Sequence, residues 1–368
     1  MGTLSLTGQG RASSCYFRTS TSKGKRKALV QIDERCNLHC AHCFVSATKQ
    51  GGWMDIDEVM NKLIPRLASA RVERVTLTGG EPTIHPQFLE VVRGFRAAAM
   101  DVGICTNATT LTEQDIADLV TIGGVHANVS LDGFAPDSHG RFRGDRGSFF
   151  TTVETTKSLA RAGLLQGLLC TPNSLAEDDE YRQLCEFAVQ NGAEYVLMNP
   201  LGSMGRGVKS KRVLAATEDR MAHIQDITVP FADAGLDVVH IRFPNGEGLP
   251  LAGCEAGTII YVFTPGEVTV CPYLTFAAKT PQSQHDPSEF IVGNIFEDAD
   301  IAARLDDYPM TRLRMGANTT CTSCGVADTC GKGCPAAVIA SGQRIGAVDA
   351  EVCPVTTDER RLLPLTVR

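Results

Sequence analysis

Three cysteines in one short loop are the residues of this sequence best suited to do chemistry. Cys36, Cys40 and Cys43 are separated by three and then two residues. Such a loop lets three thiolates bind one inorganic centre but supplies no fourth thiolate, and a metal position left open is typical of reactive sites. The apolar run 28–33 predicts a buried strand just before the loop. The thiols therefore lie at the carboxyl end of a strand, where barrel enzymes keep their active sites.

A glycine pair followed by an acid forms a second motif. Thr78-Gly79-Gly80-Glu81-Pro82 comes directly after the apolar segment 74–77. Paired glycines let the backbone approach a ligand closely, and Glu81 is able to accept a hydrogen bond from an ammonium group. A structural zinc site or a set of buried thiols would explain the cysteines, but neither explains this second motif.

The two motifs, with Phe44 after the third cysteine, resemble the signature of the radical S-adenosylmethionine (SAM) superfamily. The resemblance implies that the three thiols bind a [4Fe-4S] cluster whose fourth iron is chelated by SAM. It also implies a set of SAM-binding residues. These are Phe44, Gly79, Gly80, Glu81, Asn107, Ser130, Asp132 and Arg143.

Two of these assignments have alternatives. In the family that the sequence resembles, an arginine pairs with the SAM carboxylate, and a guanidinium forms a strong bidentate pair with such a group. Arg143 is our choice for this role, and Arg141 is the alternative. Asp132-Gly133 is expected near the SAM ribose, but the same dipeptide is also common turn chemistry.

Seven cysteines dominate the C-terminal part of the chain. Paired thiols two residues apart are typical of a zinc ribbon, which is the simpler interpretation. The complete pattern, which includes Gly266, is similar to the SPASM extension of radical SAM enzymes, which usually holds two auxiliary [4Fe-4S] clusters. The resemblance implies one cluster on Cys254, Cys271 and Cys334, whose fourth ligand is unassigned. The second implied cluster has the ligands Cys321, Cys324, Cys330 and Cys353.

The remaining cysteines and the composition point to an enzyme of the cytoplasm. The chain has 368 residues, a formal charge of −7 and a pI near 5.7, so nothing favours a nucleic-acid partner. We see no membrane span or signal peptide, and 14 cysteines in a chain this long favour metal over disulfides.

Four cysteines outside the motifs are expected to pack as small apolar side chains. They are Cys15, Cys105, Cys170 and Cys185.

Short apolar runs alternate with amphipathic segments from residue 28 to about 242. We predict strands at 28–33, 74–78, 102–106, 125–130, 164–171 and 195–199, and helices near 56–70, 87–99, 113–122, 149–162, 179–191 and 218–234. Asp55 and Glu58 form a candidate capping box for the first helix, which Pro65 should kink or shorten. Six strand-helix repeats predict an open, partial (β/α)6 barrel of parallel strands.

The barrel is expected to be followed by a small α+β module that contains the cysteines. We predict a barrel at 28–242, an auxiliary-cluster domain at 243–358 and a C-terminal tail at 359–368. Residues 1–27 hold six basic residues and no acidic one; a disordered tail is our prediction and a transit peptide the alternative. Residues 259–263 and 268–270 predict a hairpin that holds Cys254 and Cys271 near each other.

The resemblance also implies a mechanism. A flavodoxin- or ferredoxin-type donor supplies an electron, SAM is cleaved to methionine and a 5'-deoxyadenosyl radical, and this radical takes a hydrogen atom from the substrate. The substrate radical then loses a proton, and an auxiliary cluster accepts the remaining electron. A mere electron carrier or iron sensor is the alternative outside catalysis, but it has no use for a SAM site.

Three substrate classes remain open. Many SPASM enzymes mature peptides, which is our first hypothesis; only a short tail precedes the barrel, so we expect a separate leader-binding protein as a partner. The second is dehydrogenation of an aminocyclitol or a sugar alcohol. Some such enzymes carry an aspartate base after the second auxiliary cysteine, where this sequence has Pro272 and Tyr273. Tyr273 replaces that base only if its pKa is lowered. The third is tetrapyrrole modification, since related enzymes have a similar Cys-Pro segment.

Overall fold

One mixed sheet of ten strands organises the protein. The computed structural model describes residues 10–16 and 21–355. The strands lie side by side in the order β10-β9-β8-β1-β2-β3-β4-β5-β6-β7. They are β1 (Arg26–Asp33), β2 (Val72–Gly79), β3 (Asp101–Thr106), β4 (Val125–Ser130), β5 (Leu165–Cys170), β6 (Tyr195–Met198), β7 (Asp237–His240), β8 (Ile259–Val262), β9 (Glu267–Thr269) and β10 (Ile291–Asn294).

Strands β1 to β7 are parallel and follow one another in chain order, as expected for a partial barrel. Strands β7 and β10 end the sheet on its two sides, so the sheet is not closed. The six predicted strands are confirmed to within two residues at each end. The seventh was not predicted, because its four residues give too short an apolar pattern to separate from the turns around it.

Helices join the parallel strands and cover the sheet. Those of the barrel are α1 (56–69), α2 (Phe88–Ala97), α3 (Glu113–Ile122), α4 (Ser148–Arg161), α5 (Asp178–Gln190), α6 (Gly207–Leu214) and α7 (Glu218–Thr228). Those of the C-terminal part are α8 (Pro272–Ala278), α9 (Ile301–Asp307), α10 (Thr319–Thr322) and α11 (Pro335–Ala340). Within the described ranges, no helix is long and apolar enough to cross a membrane.

Helix α1 departs from its prediction in two ways. It runs past Pro65 because the five residues Val59–Leu63 form a π-helical turn just before the proline, and this wider turn accommodates the missing N–H. The Asp55 side chain caps the helix by accepting the N–H groups of Asp57 and Glu58. The Glu58 side chain instead binds Lys62 at 3.1 Å, so only the Asp55 half of the predicted capping box is formed.

The cysteine-rich module shares the sheet of the barrel. Strands β8 and β9 form the predicted antiparallel hairpin, and β8 also pairs in parallel with β1. Gly266 in the hairpin turn has a φ of 98°, and a Cβ atom there would lie 2.3 Å from the Asn294 side-chain oxygen. Strands on both sides of the predicted boundary at 242/243 therefore belong to the same sheet.

The predicted disordered tail is wrong for the described residues 12–16. Ala12 pairs with Leu251, and the Ser14 hydroxyl donates to the Ala252 carbonyl at 2.9 Å. Ser14, Cys15 and Tyr16 are buried, because two apolar side chains in this polar stretch find partners in the C-terminal module. Strand β1 begins at Arg26, two residues before the predicted barrel. Residues 1–9 and 17–20, and the predicted C-terminal tail at 359–368, lie outside the described residues.

A buried ion pair joins the last barrel strand to the C-terminal segment. The Arg242 side chain is 0% exposed and that of Asp349 is 2% exposed, with contacts of 2.7 and 2.8 Å between them. Arg242 also donates to the Ser14 carbonyl, and Asp349 accepts the N–H of Cys334. This pair thus links three distant segments of the chain.

We predict that Asp349→Asn strongly destabilises the protein, because it removes the buried counter-charge of Arg242 and leaves only Glu351, a half-exposed carboxylate 2.6 Å away. Loss of one partner of a buried pair costs about 3 to 5 kcal/mol. The measurement is urea unfolding followed by circular dichroism under anaerobic conditions. The control Lys62→Met removes an exposed ion pair and should cost roughly 0.5 kcal/mol or less. Equal effects of the two changes would contradict the prediction.

Candidate active site

The loop with three cysteines follows β1 directly, at the carboxyl end of the sheet. Cys36 and Cys40 are buried and Cys43 is half-buried, and all three are free thiols. Each sulfur has an N–H group directed at it: Leu38 N–H to Cys36 at 3.4 Å, Ala47 N–H to Cys43 at 3.4 Å, and the Arg143 guanidinium to Cys40 at 3.9 Å. Donors of this kind stabilise thiolate ligands of a metal centre. The donor set therefore fits an iron-sulfur cluster.

Residues after β6 hold this loop, and the sequence analysis missed them. Arg206 donates to the carbonyl oxygens of Cys40 (2.7 Å) and Ala47 (2.6 Å). Gly205 has a φ of 53°, and a Cβ atom there would lie 2.4 Å from the carbonyl oxygens of Cys43 and Phe44. The signal available was the glycine-rich run 202–207 directly after a predicted strand, because such runs permit close approach of two backbones.

The glycine pair packs against protein backbone. Cβ atoms at Gly79 and Gly80 would lie 2.2 Å from the carbonyl oxygen of Asp33 and 2.0 Å from that of Arg35. These glycines therefore let the end of β2 fit against the segment that leads into the cysteine loop, and their approach to a ligand stays a prediction. A φ of 136° at Gly79 requires glycine there as well.

Glu81 is 1% exposed and is bonded within the protein. Its Oε1 accepts the hydroxyls of Thr83 and Thr106, both at 2.7 Å, and its Oε2 accepts the N–H of Asn107 at 2.7 Å. Burial raises the pKa of Glu81 while these hydrogen bonds oppose the shift. Only Oε2 keeps free capacity to accept a hydrogen bond from an ammonium group.

The hydrogen bond from the Asn107 N–H to Glu81 positions Asn107 beside the cysteine loop. Its side-chain nitrogen donates to Asn37 at 2.9 Å and lies 4.0 Å from the Cys36 sulfur. Glu81 and Asn107 therefore connect the ends of β2 and β3 to the loop after β1, which is the neighbourhood that the sequence analysis predicted for them.

Asp132 and Arg143 form a buried ion pair beside Cys40. Their contact is 2.6 Å, and the other Asp132 oxygen accepts the N–H of Thr171 at 2.8 Å. Burial raises the pKa of Asp132, but the Arg143 guanidinium outweighs this effect and holds the pKa below its usual value. The Asp132 carboxylate thus has a structural partner on each side, which a simple turn residue would not need.

The surroundings of this pair contain polar atoms without partners. His42 Nε2 lies 3.9 Å from Asp132, and the His139 ring accepts the Asp132 N–H at 3.0 Å. Within the described ranges, His42 Nδ1 and His139 Nε2 are buried and have no hydrogen-bond partner. Ser130 is half-buried at the end of β4, and Arg141 is exposed. Unpaired buried polar atoms beside a charged pair fit a polar ligand such as SAM.

Phe44 and Tyr273 join the cysteine loop to α8. The Phe44 ring centre lies 5.8 Å from that of Tyr273 and 5.1 Å from that of Phe276. Tyr273 stacks on Tyr16 with ring centres 4.4 Å apart. Burial raises the pKa of Tyr273, which is opposite to what a general base requires. This direction of the pKa shift does not favour Tyr273 as the base, a role that stays a prediction, and its ring packs against Tyr16 and Phe44.

The C-terminal cysteines lie in two groups. Cys271 and Cys334 each precede a proline at the start of a short helix, α8 or α11, and these two helices pack together. A second group lines one pocket of about 440 Å³, which is partly open to solvent. Its members are Cys321, Cys324, Cys330 and Cys353.

Hydrogen bonds at these sulfurs are similar to those in the first loop. Cys330 accepts the N–H groups of Leu251 (3.4 Å) and Lys332 (3.3 Å), and Cys254 accepts that of Ala256 at 3.4 Å. In the part of the chain that the structure describes, no three His, Cys, Asp or Glu side chains converge tightly enough to hold a single metal ion.

A comparison with models of protein families identifies the domain that contains the cysteine loop. Residues 30–188 match the model of the radical SAM superfamily, and this segment contains both sequence motifs. Residues 30–188 form a radical SAM domain. The protein is therefore an enzyme that uses SAM and a [4Fe-4S] cluster, as the sequence resemblance implied.

Relatives and solved structures extend the match beyond the barrel. The mycofactocin maturase MftC of Mycobacterium tuberculosis is 29% identical, over 87% of this chain and 81% of its own. The AdoMet-dependent heme synthase of Methanosarcina barkeri is 27% identical, over 75% of this chain and 83% of its own. Streptococcus suis SuiB, solved with SAM and also with its precursor peptide SuiA, has a TM-score of 0.69 at 15% identity, over 90% of this chain and 77% or 76% of its own. The fold is that of a radical SAM enzyme with a SPASM extension.

We predict that Arg143→Ala weakens SAM binding roughly tenfold or more, since a lost hydrogen bond to a charged group costs about 1.5 to 3 kcal/mol. Arg141→Ala, the matched control, should bind SAM as the unchanged protein does, because Arg141 is exposed. Equilibrium dialysis of labelled SAM against anaerobically reconstituted protein measures both. Arg143→Lys keeps the buried charge of Asp132 paired and separates binding from folding. A larger effect of Arg141→Ala would show that the wrong arginine was chosen.

Proposed function

We propose that this radical SAM enzyme matures a ribosomally made peptide by oxidation, with auxiliary clusters in its SPASM extension. The observation that carries the proposal is the Cys36–Cys40–Cys43 loop beside the buried Asp132–Arg143 pair. The similarity to a maturase over most of the chain, and the likeness in fold to a protein that binds a precursor peptide, support a peptide as the substrate.

The cysteine loop would hold the SAM cluster, and Arg143, Asp132, Asn107 and Glu81 would hold SAM around it. When bound, these groups would supply the radical chemistry that removes a hydrogen atom from the substrate, and auxiliary clusters would supply an acceptor for the electron that remains once the substrate radical has lost a proton. The protein keeps water away: Cys36, Cys40 and their hydrogen-bond partners are buried at the centre of the site. The electron donor of flavodoxin or ferredoxin type and the leader-binding protein stay predictions.

Seven cysteines would hold the auxiliary clusters. Cys254, Cys271 and Cys334 form the first set, which the β8–β9 hairpin and the packing of α8 on α11 support. The second set comprises Cys321, Cys324, Cys330 and Cys353, which the shared pocket supports. Thiolates that accept backbone N–H groups are the usual ligands of such clusters.

A pocket at the carboxyl ends of β5 to β7 is our candidate for the peptide site. It has a volume of about 550 Å³, and its walls include Pro172, Pro200, Met221 and the Lys211–Glu351 ion pair. The segment 200–215 lines this pocket and also carries Arg206, which binds the cysteine loop. The pocket is therefore connected to the cysteine loop through this segment. Its walls combine apolar side chains with the charged Lys211, Glu218, Arg242 and Glu351, which suits a peptide segment that carries both kinds of group.

Tetrapyrrole modification is the second candidate. The similarity to a heme synthase over three quarters of the chain favours it, together with the Cys271-Pro272 segment. Dehydrogenation of an aminocyclitol or sugar alcohol has less support, because this sequence has Pro272 where some such enzymes carry an aspartate base.

The number of clusters is testable by iron analysis. After anaerobic reconstitution we expect about twelve irons and twelve acid-labile sulfides per chain, and about eight irons in a variant with Cys36, Cys40 and Cys43 changed to Ala. A total near four, with zinc bound, would show that the C-terminal thiols are structural and that the proposed electron acceptor does not exist.

The reaction is testable with SAM and dithionite under anaerobic conditions. Formation of 5'-deoxyadenosine should be abolished by Cys40→Ala and unaffected by Cys185→Ala, which lies in the barrel core. We expect peptides encoded beside the gene to increase this formation and to lose hydrogen, whereas coproporphyrin should do neither. Cys324→Ala should keep some SAM cleavage but yield no peptide product. Turnover of coproporphyrin instead would support the second candidate.

A further inference from the structure

Four cysteines lie outside the cluster motifs, and one of them differs in its surroundings. Cys105, Cys170 and Cys185 belong to β3, β5 and α5 of the barrel. Cys15 precedes the barrel in sequence and is buried against the C-terminal module. The expectation that all four merely pack as apolar side chains does not account for where Cys15 lies.

The Cys15 thiol lies within hydrogen-bonding reach of the Cys334 thiol. Cys334 directly precedes α11, which packs on α8, the helix that directly follows Cys271. Cys15 therefore lies beside one of the three cysteines assigned to the first auxiliary cluster, at the helix pair that carries a second. This set is the one for which the sequence offered no fourth ligand.

The neighbours of Cys15 are fixed to the segments that carry the other cysteines. On one side, Ala12 forms two backbone hydrogen bonds of 2.9 Å with the strand segment at Pro250 and Ala252, just before Cys254. On the other side, Tyr16 stacks on Tyr273, two residues after Cys271. The Arg242 guanidinium donates to the Ser14 carbonyl at 2.8 Å and binds Asp349, which accepts the Cys334 N–H. Each contact positions Cys15 relative to one of the three proposed ligands.

We propose that Cys15 is the fourth protein ligand of the first auxiliary cluster, together with Cys254, Cys271 and Cys334. The inference rests on the auxiliary clusters of the proposed function. A cluster with four thiolates has no open iron, so it is suited to electron transfer and cannot bind the substrate directly. The N-terminal segment is then part of the cofactor site.

The experiment uses the full chain with Cys36, Cys40 and Cys43 changed to Ala, so that only auxiliary iron is counted. This protein should hold about eight irons. Adding Cys15→Ser should either lower the count to about four or keep about eight with a changed Mössbauer and EPR spectrum, because a serine oxygen is a poorer iron ligand. The matched control is Cys185→Ser, a buried cysteine far from the C-terminal module in sequence, which should change neither iron nor spectrum.

A second measurement does not depend on the folding of a variant. Cyanide added to the protein without the SAM cluster should leave its EPR spectrum unchanged, because no auxiliary iron is open; the same addition to the Cys15→Ser variant should alter the spectrum of any first cluster that is retained. Circular dichroism confirms that the variants are folded.

The outcomes separate the two proposals. If Cys15→Ser matches Cys185→Ser in iron and spectrum, or if cyanide binds the protein that retains Cys15, the ligand assignment is overturned while the auxiliary clusters stand. If the protein that retains Cys15 holds no auxiliary iron at all, the proposed function loses its electron acceptor and the ligand assignment falls with it.

Discussion

The position of β1 in the sheet is the constraint on which the rest of the structure depends. This strand is paired in parallel with β2 on one side and with β8 on the other. Its residues from Ala28 to Asp33 are buried. Because both edges are bonded, the chain that leaves its carboxyl end starts from a fixed point, and the cysteine loop begins three residues later. Parallel order then brings the ends of β2 to β6 to the same rim, where Glu81, Asn107, Asp132 and Arg206 meet the loop.

Two buried ion pairs differ in the partners that surround them. Asp132 and Arg143 bind each other beside Cys40, and the atoms around them include unpaired polar groups. Arg242 and Asp349 have all of their partners within the protein, among them backbone groups of Ser14 and Cys334. A buried charge is costly unless it is fully bonded, so the first pair has capacity left for a ligand whereas the second joins segments of the fold.

The sequence predicted the features that depend on local pattern. Cysteine spacing identified the loop at Cys36 and the C-terminal groups, and apolar periodicity placed six strands and their helices closely. Contacts between distant segments were out of reach: no pattern indicates that Arg206 binds the Cys40 carbonyl or that Cys15 lies at Cys334. The same limit applies to two site residues. No pattern indicates that Gly79 and Gly80 lie against the backbone of Asp33 and Arg35, or that Tyr273 stacks on Tyr16.

The parallel pairing of β1 with β8 also governs how this architecture can be divided. A barrel cut off after residue 242 would leave the edge of its first strand unpaired, with a row of free N–H and C=O groups beside an apolar surface. Exposed edges of this kind associate with other chains. The cysteine-rich module is therefore the cover of the barrel sheet as well as a carrier of thiols, and neither half can be exchanged between proteins as an independent unit unless the replacement brings a strand of its own to that edge.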